Sequence, residues 1–270
     1  MITSSAHNHC TYCDGKNTIE EMADAALAAG FTDLGISSHC VTPFEGWYAL
    51  KDESAYIAAV RRAQKAYAGR LNIACGIEQD WYATVQNREQ LDYIIGSVHY
   101  LRSNEGTYYT VDGDIAIAQT CIREMFAGDG LAYARAYYEL LAHQAEVCRP
   151  EIIGHFDLIE KNNQGNMLYD ANSDAYKQIA LAALRRCAAT GAVFEVNSGG
   201  MARGYTSAPY PAVFLLEALR DCGARVMLSA DCHAAENLTY YFAEMEQMLR
   251  TLGFTHVTQL RSGTFVQTPL

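Results

Sequence analysis

The chain repeats one pattern of polar and apolar positions, in which an amphipathic segment ends in glycine and a short β-branched or apolar run follows. This pattern predicts a helix and then a strand, because glycine just past a helix adopts the left-handed backbone that closes the helix end. The glycines in question are Gly30, Gly69, Gly191, Gly223 and Gly253. The strands predicted to follow them cover residues 32–37, 71–77, 192–197, 225–230 and 255–260.

The first predicted helix also has a start signal, since Thr18 and Glu21 have the spacing of a capping box. Its apolar residues share one side at helical spacing, namely Ile19, Met22, Ala23, Ala26 and Leu27. Further strands are predicted over residues 1–6, 93–99 and 152–156. Strands that alternate with helices favour a parallel sheet with the helices outside.

Seven or eight such strands fit a closed or nearly closed barrel better than an open sheet, because polar residues follow nearly every strand. In a barrel the carboxyl ends of all strands converge on one mouth. No linker divides the 270 residues, and we expect a single domain over 1–270. Residues 101–130 depart from the pattern: a polar, Tyr- and Gly-rich stretch precedes a helix-like run over 115–126. We interpret 101–130 as an insertion, either a lid over the mouth or a surface decoration.

Composition limits the function. Twenty Lys and Arg against 31 Asp and Glu give a formal charge of −11, which argues against a nucleic-acid-binding surface. Nine cysteines without a framework spacing indicate a reducing compartment, and we expect a cytoplasmic protein. The N-terminus does not resemble a signal peptide, and no apolar run approaches the length of a membrane span.

Histidines and carboxylates cluster at the predicted strand ends. Six of the eight histidines lie there, and only His143 and His256 do not. His7 and His9 are two residues apart, so in a strand they share a face. In chain order the strand-end residues are His7, His9, Asp14, His39, Glu78, Asp80, His99, His155, Asp157, Glu195, Asn197, Asp231 and His233.

Such a set predicts a centre for more than one divalent ion, because one tetrahedral site takes only four ligands. Imidazole and carboxylate ligands suit Zn, Mn or Fe without choosing among them. The cysteines next to these residues (Cys10, Cys40 and Cys232) are interpreted as buried apolar side chains. Cys10 and Cys13 resemble half of a zinc knuckle, but no second pair is spaced to complete it.

In order along almost the whole chain, these motifs resemble the polymerase-and-histidinol-phosphatase (PHP) superfamily, and within it the monofunctional histidinol-phosphate phosphatases. The motifs are His7-Asn8-His9, Asp14-Gly15, Ser38-His39, Gly76-Ile77-Glu78, Gly96-Ser97-Val98-His99-Tyr100, Gly154-His155-Phe156-Asp157-Leu158, Glu195-Val196-Asn197-Ser198-Gly199 and Ser229-Ala230-Asp231-Cys232-His233. The resemblance implies a distorted, TIM-like (β/α)7 barrel with three divalent metal ions at the carboxyl ends of its strands.

By motif position, the resemblance implies three groups of ligands. The first metal would be held by His7, His9, Glu78 and Asp231. Glu78 would bridge to a second metal, completed by His99 and His155. Asp14, His39 and His233 would hold a third. We expect Glu78, Asp231 and His233 to be the catalytic residues.

The resemblance also implies basic residues that bind phosphate, which here are Arg203 and Lys161. A hydroxide between the first two metals would attack phosphorus in line, and Arg203 would stabilise the phosphoryl oxygens. The expected reaction is hydrolysis of L-histidinol phosphate in histidine biosynthesis. The expected partner is a small phosphorylated substrate, not a nucleic acid or a membrane, and the oligomeric state stays open.

Other functions remain open at this point. The chain could hydrolyse another small phosphate ester or a nucleotide, or it could be a metal-dependent amidohydrolase or deaminase. A nuclease of the same superfamily would need a basic groove, and a non-catalytic scaffold would be expected to have lost ligands. Phe44, Trp81, Tyr82 and the insertion at 101–130 are candidates to surround a ring of the leaving group.

Overall fold

Seven parallel strands form a nearly closed barrel in the computed structural model, which describes residues 2–44 and 46–270. The strands in chain order are β1 Ser4–Ser5, β2 Asp33–Ile36, β3 Asn72–Asp80, β4 Tyr93–Ser97, β5 Tyr100–Arg102, β6 Tyr108–Thr110, β7 Ile152–Ile153, β8 Val193–Asn197, β9 Val226–Ser229, β10 His256–Arg261 and β11 Thr264–Pro269. The barrel order is β1-β2-β3-β4-β7-β8-β9, and β5-β6 and β10-β11 are antiparallel hairpins. The predicted α/β barrel is therefore confirmed.

Helices connect most of the barrel strands and pack outside them. They are α1 Ile19–Ala28, α2 Glu53–Tyr67, α3 Ile115–Phe126, α4 Gly130–Cys148, α5 Asp174–Ala189, α6 Gly199–Ala202, α7 Val213–Asp221 and α8 Phe242–Thr251. Short 3₁₀ turns cover Arg88–Gln90, Leu158–Asn162 and Ala235–Asn237. The capping box of Thr18 and Glu21 is present in α1. All five helix-ending glycines have a left-handed backbone, with φ between 70° and 88°, as predicted.

Alternation along the strands determines which side chains face the barrel interior. On β3, Ala74 packs in the small interior cluster, and Gly76 lies two residues further on the same face. Glu78 is the next residue on that face, and it is buried. The interior is filled by Ala6, Ala74, Tyr93, Ile95, Ile152, Val193, Met227 and Leu260. Glu78 therefore reaches the mouth directly above a packed apolar floor.

The first and last barrel strands do not pair along their lengths, and the barrel is closed just beyond their ends. The amide of His9 donates to the carbonyl of Cys232 at 2.8 Å, and the amide of Cys232 donates to the carbonyl of His7 at 3.1 Å. The amide of Lys16 donates to the carbonyl of His233, the residue after Cys232, at 2.8 Å. This seam is therefore built from the segments that carry His7, His9 and His233.

The strand predicted over 255–260 exists as β10, but it forms a hairpin with β11 and does not join the barrel, which leaves seven parallel strands. The helix predicted over 115–126 is confirmed as α3. Met1, at the start of the first predicted strand, lies outside the described residues. Among the helices of the described residues, none is both long and apolar enough to cross a membrane.

Gly76 provides a test of the barrel floor. A Cβ added there would lie 2.3 Å from the Tyr93 ring. We expect Gly76→Ala to lower the free energy of unfolding by about 1–3 kcal/mol, the usual range for an overpacked core. Chemical denaturation measures this loss. In a Tyr93→Leu background the loss should shrink, because the ring is gone. An equal loss in both backgrounds would show that the ring is not the obstacle.

Candidate metal centre

Four side chains from three parts of the barrel mouth meet around one point. The Nε2 atoms of His7 and His9 lie 3.1 Å apart, which confirms that both point to the same side. Glu78 Oε2 lies 3.2 Å from His7 Nε2 and 3.5 Å from His9 Nε2. Asp231 Oδ1 lies 3.5 Å and 3.3 Å from the same two nitrogen atoms. The four residues predicted for the first metal are thus brought together.

The second oxygen of Glu78 faces a different pair of histidines. Oε1 lies 2.9 Å from His155 Nε2 and 3.3 Å from His99 Nε2. Glu78 lies in β3, His99 follows β4 and His155 follows β7, and these three strands are neighbours in the sheet. One oxygen of this carboxylate therefore faces one pair of imidazoles and the other oxygen faces another pair. This is the geometry expected of a bridging ligand.

The third group lies towards the outside of the mouth. Asp14 Oδ2 lies 3.3 Å from His233 Nε2, and Asp14 Oδ1 lies 3.7 Å from His39 Nε2. His9 borders this group as well, because its Nδ1 lies 3.7 Å from Asp14 Oδ1. His39 Nδ1 is also 2.9 Å from Glu78 Oε2. The three groups are therefore contiguous, and Glu78 touches histidines of each.

The donor atoms fit divalent metal ions. Ligands about 2.0–2.1 Å from a tetrahedral zinc ion lie about 3.3–3.4 Å from one another, close to the spacings in the first group. Glu78 Oε2 and Asp14 Oδ1 are buried, and neither accepts a hydrogen bond of good geometry among the described residues, although imidazole nitrogens lie close to both. Burying a carboxylate oxygen without a partner is costly, and a coordinated cation removes that cost. The described residues thus contain a His/Asp/Glu cluster suited to metal.

Electrostatics sets the protonation state of each member of the cluster. Burial opposes the charged forms of His7 and His99, but neighbouring carboxylates outweigh it and raise the pKa of both rings well above the usual range, so a metal ion would displace a proton from each. Burial opposes the charged form of Glu78, but His39, His7 and His99 outweigh it and hold its pKa well below its usual range. Burial lowers the pKa of His9 to about 3, and His233 and His39 add to this effect. Glu78 is therefore an anion and His9 a neutral imidazole, as metal coordination requires.

Glu195 contacts two of the clustered histidines, an arrangement that the sequence did not reveal. Its Oε1 lies 2.7 Å from His7 Nδ1, and its Oε2 accepts from the amide of His155 at 3.1 Å. A carboxylate on the far ring nitrogen fixes the tautomer and orientation of a ligating histidine. The sequence indicated only its position: Val193, Glu195 and Asn197 are two residues apart in β8, so their side chains share one face of the strand.

No cysteine belongs to the groups of possible metal ligands found among the described residues. All nine are free, and Cys10, Cys40 and Cys232 are buried, as the sequence predicted. Burial raises the pKa of Cys40 and Cys232 to about 12, so both are thiols. Cys13 is the exception in position, since its Sγ lies 3.4 Å from His9 Nδ1. Burial raises its pKa to about 12 as well.

Arg203 lies at the edge of the cluster. Its Nη2 donates to Asp231 Oδ2 at 2.9 Å and its Nη1 to the Asp231 carbonyl at 3.1 Å. The glycines before Arg203 lie in a helical turn, α6, and Gly199 packs against Asp231. A Cβ on Gly199 would lie 2.7 Å from the Asp231 Cβ. Two of the five guanidinium N–H groups thus hold Asp231, Nη1 also lies 2.8 Å from His233 Nδ1, and the remaining N–H groups are available for an anion.

Lys161 and the predicted aromatic residues lie in different parts of the structure. The Lys161 ammonium donates to the Asp112 carbonyl and lies 4.1 Å over the Tyr205 ring. A contact between Lys161 and phosphate stays a prediction.

The Phe44 ring lies 4.7 Å from the Tyr100 ring, next to His99, whereas Trp81 packs against His143 on α4. Trp81 therefore has its partner outside the cluster. Tyr82 contacts Tyr108 in the β5-β6 hairpin.

Comparison with known proteins decides the family. The sequence model of the PHP domain matches residues 5–199. The chain belongs to the PHP domain family. The resemblance drawn from the motifs is confirmed, and the last motif, residues 229–233, lies beyond the matched range.

Relatives of the PHP chain extend over nearly its whole length. A Deinococcus radiodurans protein named "Probable histidinol-phosphatase" is 30% identical over 267 residues, covering 94% of this chain and 95% of its own. The histidinol-phosphatase of Bacillus subtilis is 24% identical and covers 90% of this chain and 97% of its own.

Solved structures share the fold of this PHP protein. A chain described as a histidinol phosphatase of Listeria monocytogenes has a TM-score of 0.76 at 18% identity, covering 89% of this chain and 99% of its own. A histidinol phosphate phosphatase of Lactococcus lactis, complexed with zinc, L-histidinol and phosphate, has a TM-score of 0.70 at 17% identity and covers 98% of each chain. The distorted seven-stranded barrel is therefore the fold of this family.

Glu78 is the first residue to test. Glu78→Gln keeps one carbonyl oxygen but removes the charge and the second anionic oxygen, so we expect loss of metal and of activity together. His39→Ala removes a residue of the outer group, and we expect it to retain more metal. Elemental analysis of protein purified without chelator measures the metal content of both variants. Equal metal content in wild type and Glu78→Gln would rule out the bridge.

Glu195 tests the support of the His7 ring. We expect Glu195→Ala to weaken metal affinity by about 10–100-fold, the usual effect of losing a carboxylate behind a ligating histidine. Glu195→Gln keeps an oxygen that accepts from His7 Nδ1, and its loss should be smaller. Competition with a chelator at fixed pH measures the affinities. Wild-type affinity in Glu195→Ala would leave this carboxylate without a role in binding.

Proposed function

We propose that this protein is a metal-dependent phosphomonoesterase that hydrolyses L-histidinol phosphate to L-histidinol and phosphate. The observation that carries the proposal is the Arg203 guanidinium beside a dense His/Asp/Glu cluster. A cluster of metal ligands alone would also suit an amidohydrolase. An arginine at its edge favours a substrate with a phosphate group, because the planar guanidinium binds two phosphate oxygens at once. The names of the relatives support the leaving group.

Three divalent ions would occupy the cluster, in the groups that the motifs predict. The first would be held by His7, His9, Glu78 and Asp231, the second by Glu78, His99 and His155, and the third by Asp14, His39 and His233. Zinc suits these ligands, and so do manganese and iron. Three carboxylates against three divalent ions leave a formal charge of about +3, which attracts a phosphate dianion.

When bound, such ions polarise phosphoryl oxygens and lower the pKa of water towards neutrality. The residues of the chain arrange the rest. Glu78 and Asp231 would hold the ions, while Glu195 orients the His7 ring. Arg203 binds the phosphate oxygens and stabilises the charge that develops on them. His233 lies between Asp14 and Arg203, and we expect it to take part in catalysis as well.

Asp231 links the two parts of this mechanism. Burial opposes its charged form, but Arg203 and then His7 hold its pKa well below its usual range. Its Oδ1 faces His7 and His9, and its Oδ2 accepts from Arg203. The carboxylate that would hold the first metal thus also orients the arginine, so phosphate and metal are bound in a fixed relation.

Arg203 provides the test of the proposed function. Arg203→Ala should lower kcat/KM on histidinol phosphate by about 10²–10³-fold, the effect of losing one donor to a developing oxyanion. Arg203→Lys keeps the charge without the planar fork, and it should lose less. Because Arg203 also contacts Asp231, metal content is measured on the same samples and activity is expressed per bound metal.

A substrate panel completes the assay. Metal-loaded wild type is compared on histidinol phosphate, nucleotides, phosphotyrosine and a neutral amide. Hydrolysis of the amide alone would contradict the phosphatase proposal. A preference for nucleotides or phosphotyrosine would keep the reaction but replace the substrate. Wild-type kinetics in Arg203→Ala would mean that this residue does not bind the phosphate.

A further inference from the structure

Four aromatic side chains line the mouth beside the histidines, and we call them the aromatic wall: Phe44, Tyr48, Tyr100 and Tyr108. The Phe44 ring lies 4.7 Å from Tyr100 and 4.3 Å from Tyr108. The Tyr48 ring meets His39 edge-on at 5.0 Å and stacks 6.4 Å from Tyr100. The wall therefore adjoins the second and third groups of ligands.

A carboxylate, Asp112, lies next to this wall. The β5-β6 hairpin pairs Tyr100 with Thr110, and the Thr110 hydroxyl donates to Asp112 Oδ1 at 2.9 Å. The hairpin end is fixed to the mouth, because the amide of Val111 donates to the His99 carbonyl at 2.9 Å. Asn162 donates to the carbonyls of Val111 and Gly113, both at 3.0 Å. Asp112 is thus held in place by its neighbours on both sides.

Asp112 is charged, and its charge is only partly compensated. Burial opposes the charged form, but His99 and then Lys161 outweigh it and lower its pKa. Lys161 Nζ stands 3.8 Å from Asp112 Oδ2 and is shared with the Asp112 carbonyl and the Tyr205 ring. The Asp112 side chain keeps 28% of its surface exposed, so an incoming molecule has access to it.

A negative charge at this place is a disadvantage for binding phosphate alone, because it repels the dianion. It becomes an advantage when the rest of the substrate is cationic, since the charge then attracts the leaving group. It also disfavours esters that carry a second anion. Aromatic faces add to the attraction, because they bind ammonium and imidazolium groups. Wall and carboxylate therefore suit the same kind of leaving group.

We propose that Asp112 is a specificity residue that binds the cationic nitrogen of the leaving group beside the aromatic wall. It selects phosphate monoesters of amino or imidazolyl alcohols over neutral and anionic monoesters. The inference rests on the proposed function, and it names the residue that would read the leaving group rather than the phosphate.

The test compares two esters of matched size, O-phosphoethanolamine and 2-hydroxyethyl phosphate, which differ by an ammonium in place of a hydroxyl. The readout is the ratio of their kcat/KM values, measured with metal-loaded protein. We expect the wild type to prefer the cationic ester, and Asp112→Asn to lower the ratio by at least about tenfold, mainly through KM. Asp112→Glu keeps the charge and should retain more of the preference. Histidinol phosphate should follow the cationic ester.

Asp114→Asn is the matched control, since it removes the same charge two residues away on an exposed position. Asp114 caps α3 through the amide of Ala116, and asparagine caps equally well. The control should keep the wild-type ratio. If Asp112 served only to pair with Lys161, its substitution would change kcat/KM for both esters by the same factor, and the ratio would stay constant. That result would overturn the inference and leave the phosphatase proposal intact.

A binding experiment separates the inference from the proposed function. Calorimetry measures the dissociation constants of L-histidinol and of inorganic phosphate, each added to metal-loaded protein. We expect Asp112→Asn to raise the constant for L-histidinol, relative to that for phosphate, by at least about tenfold. An unchanged ratio overturns the inference. Wild type that hydrolyses none of the phosphate esters overturns the proposed function instead, and the calorimetric ratio still decides the role of Asp112.

Discussion

A single buried carboxylate, Glu78, determines how the mouth of this barrel is arranged. Burying an anion is unfavourable unless opposite charge surrounds it. Here three neighbouring strands and the seam supply that surrounding, with His7, His39, His99 and His155 all within 3.3 Å of its two oxygens. Without cations the histidines alone stabilise this charge, and coordinated cations would take over part of that role. The spacing of the strands thus fixes the spacing of the ligands.

The sequence predicted which side chains come together at the mouth, because strand periodicity and barrel topology are both local rules that determine where distant residues lie. His7 and His9 share a side because they are two residues apart, and Glu78 points inward because Ala74 and Gly76 do. A parallel barrel then brings all strand ends to one mouth. Neither rule needs knowledge of long-range contacts, so the cluster could be inferred from positions alone.

Other features could not be predicted, because they depend on contacts between distant segments. Glu195 orients His7 across 188 residues, and Arg203 holds Asp231 across 28. The role of Asp112 follows from the way the β5-β6 hairpin is fixed to His99 and Asn162, which no periodicity reveals. The strand at 255–260 had the same local pattern as the barrel strands, and only its pairing with β11 places it outside. Pattern identifies an element, whereas pairing decides its place.

The seam between the first and last strands has a consequence for folding. The segments that meet there, around His7, His9, Asp231 and His233, also present the ligating atoms of the first and third groups. An ion bound across the seam would have ligands on both sides of it and would link the first and last strands of the sheet. Binding free energy then becomes folding free energy. Chelation would then loosen the barrel along this one line, and the stability of the barrel would depend on the supply of metal.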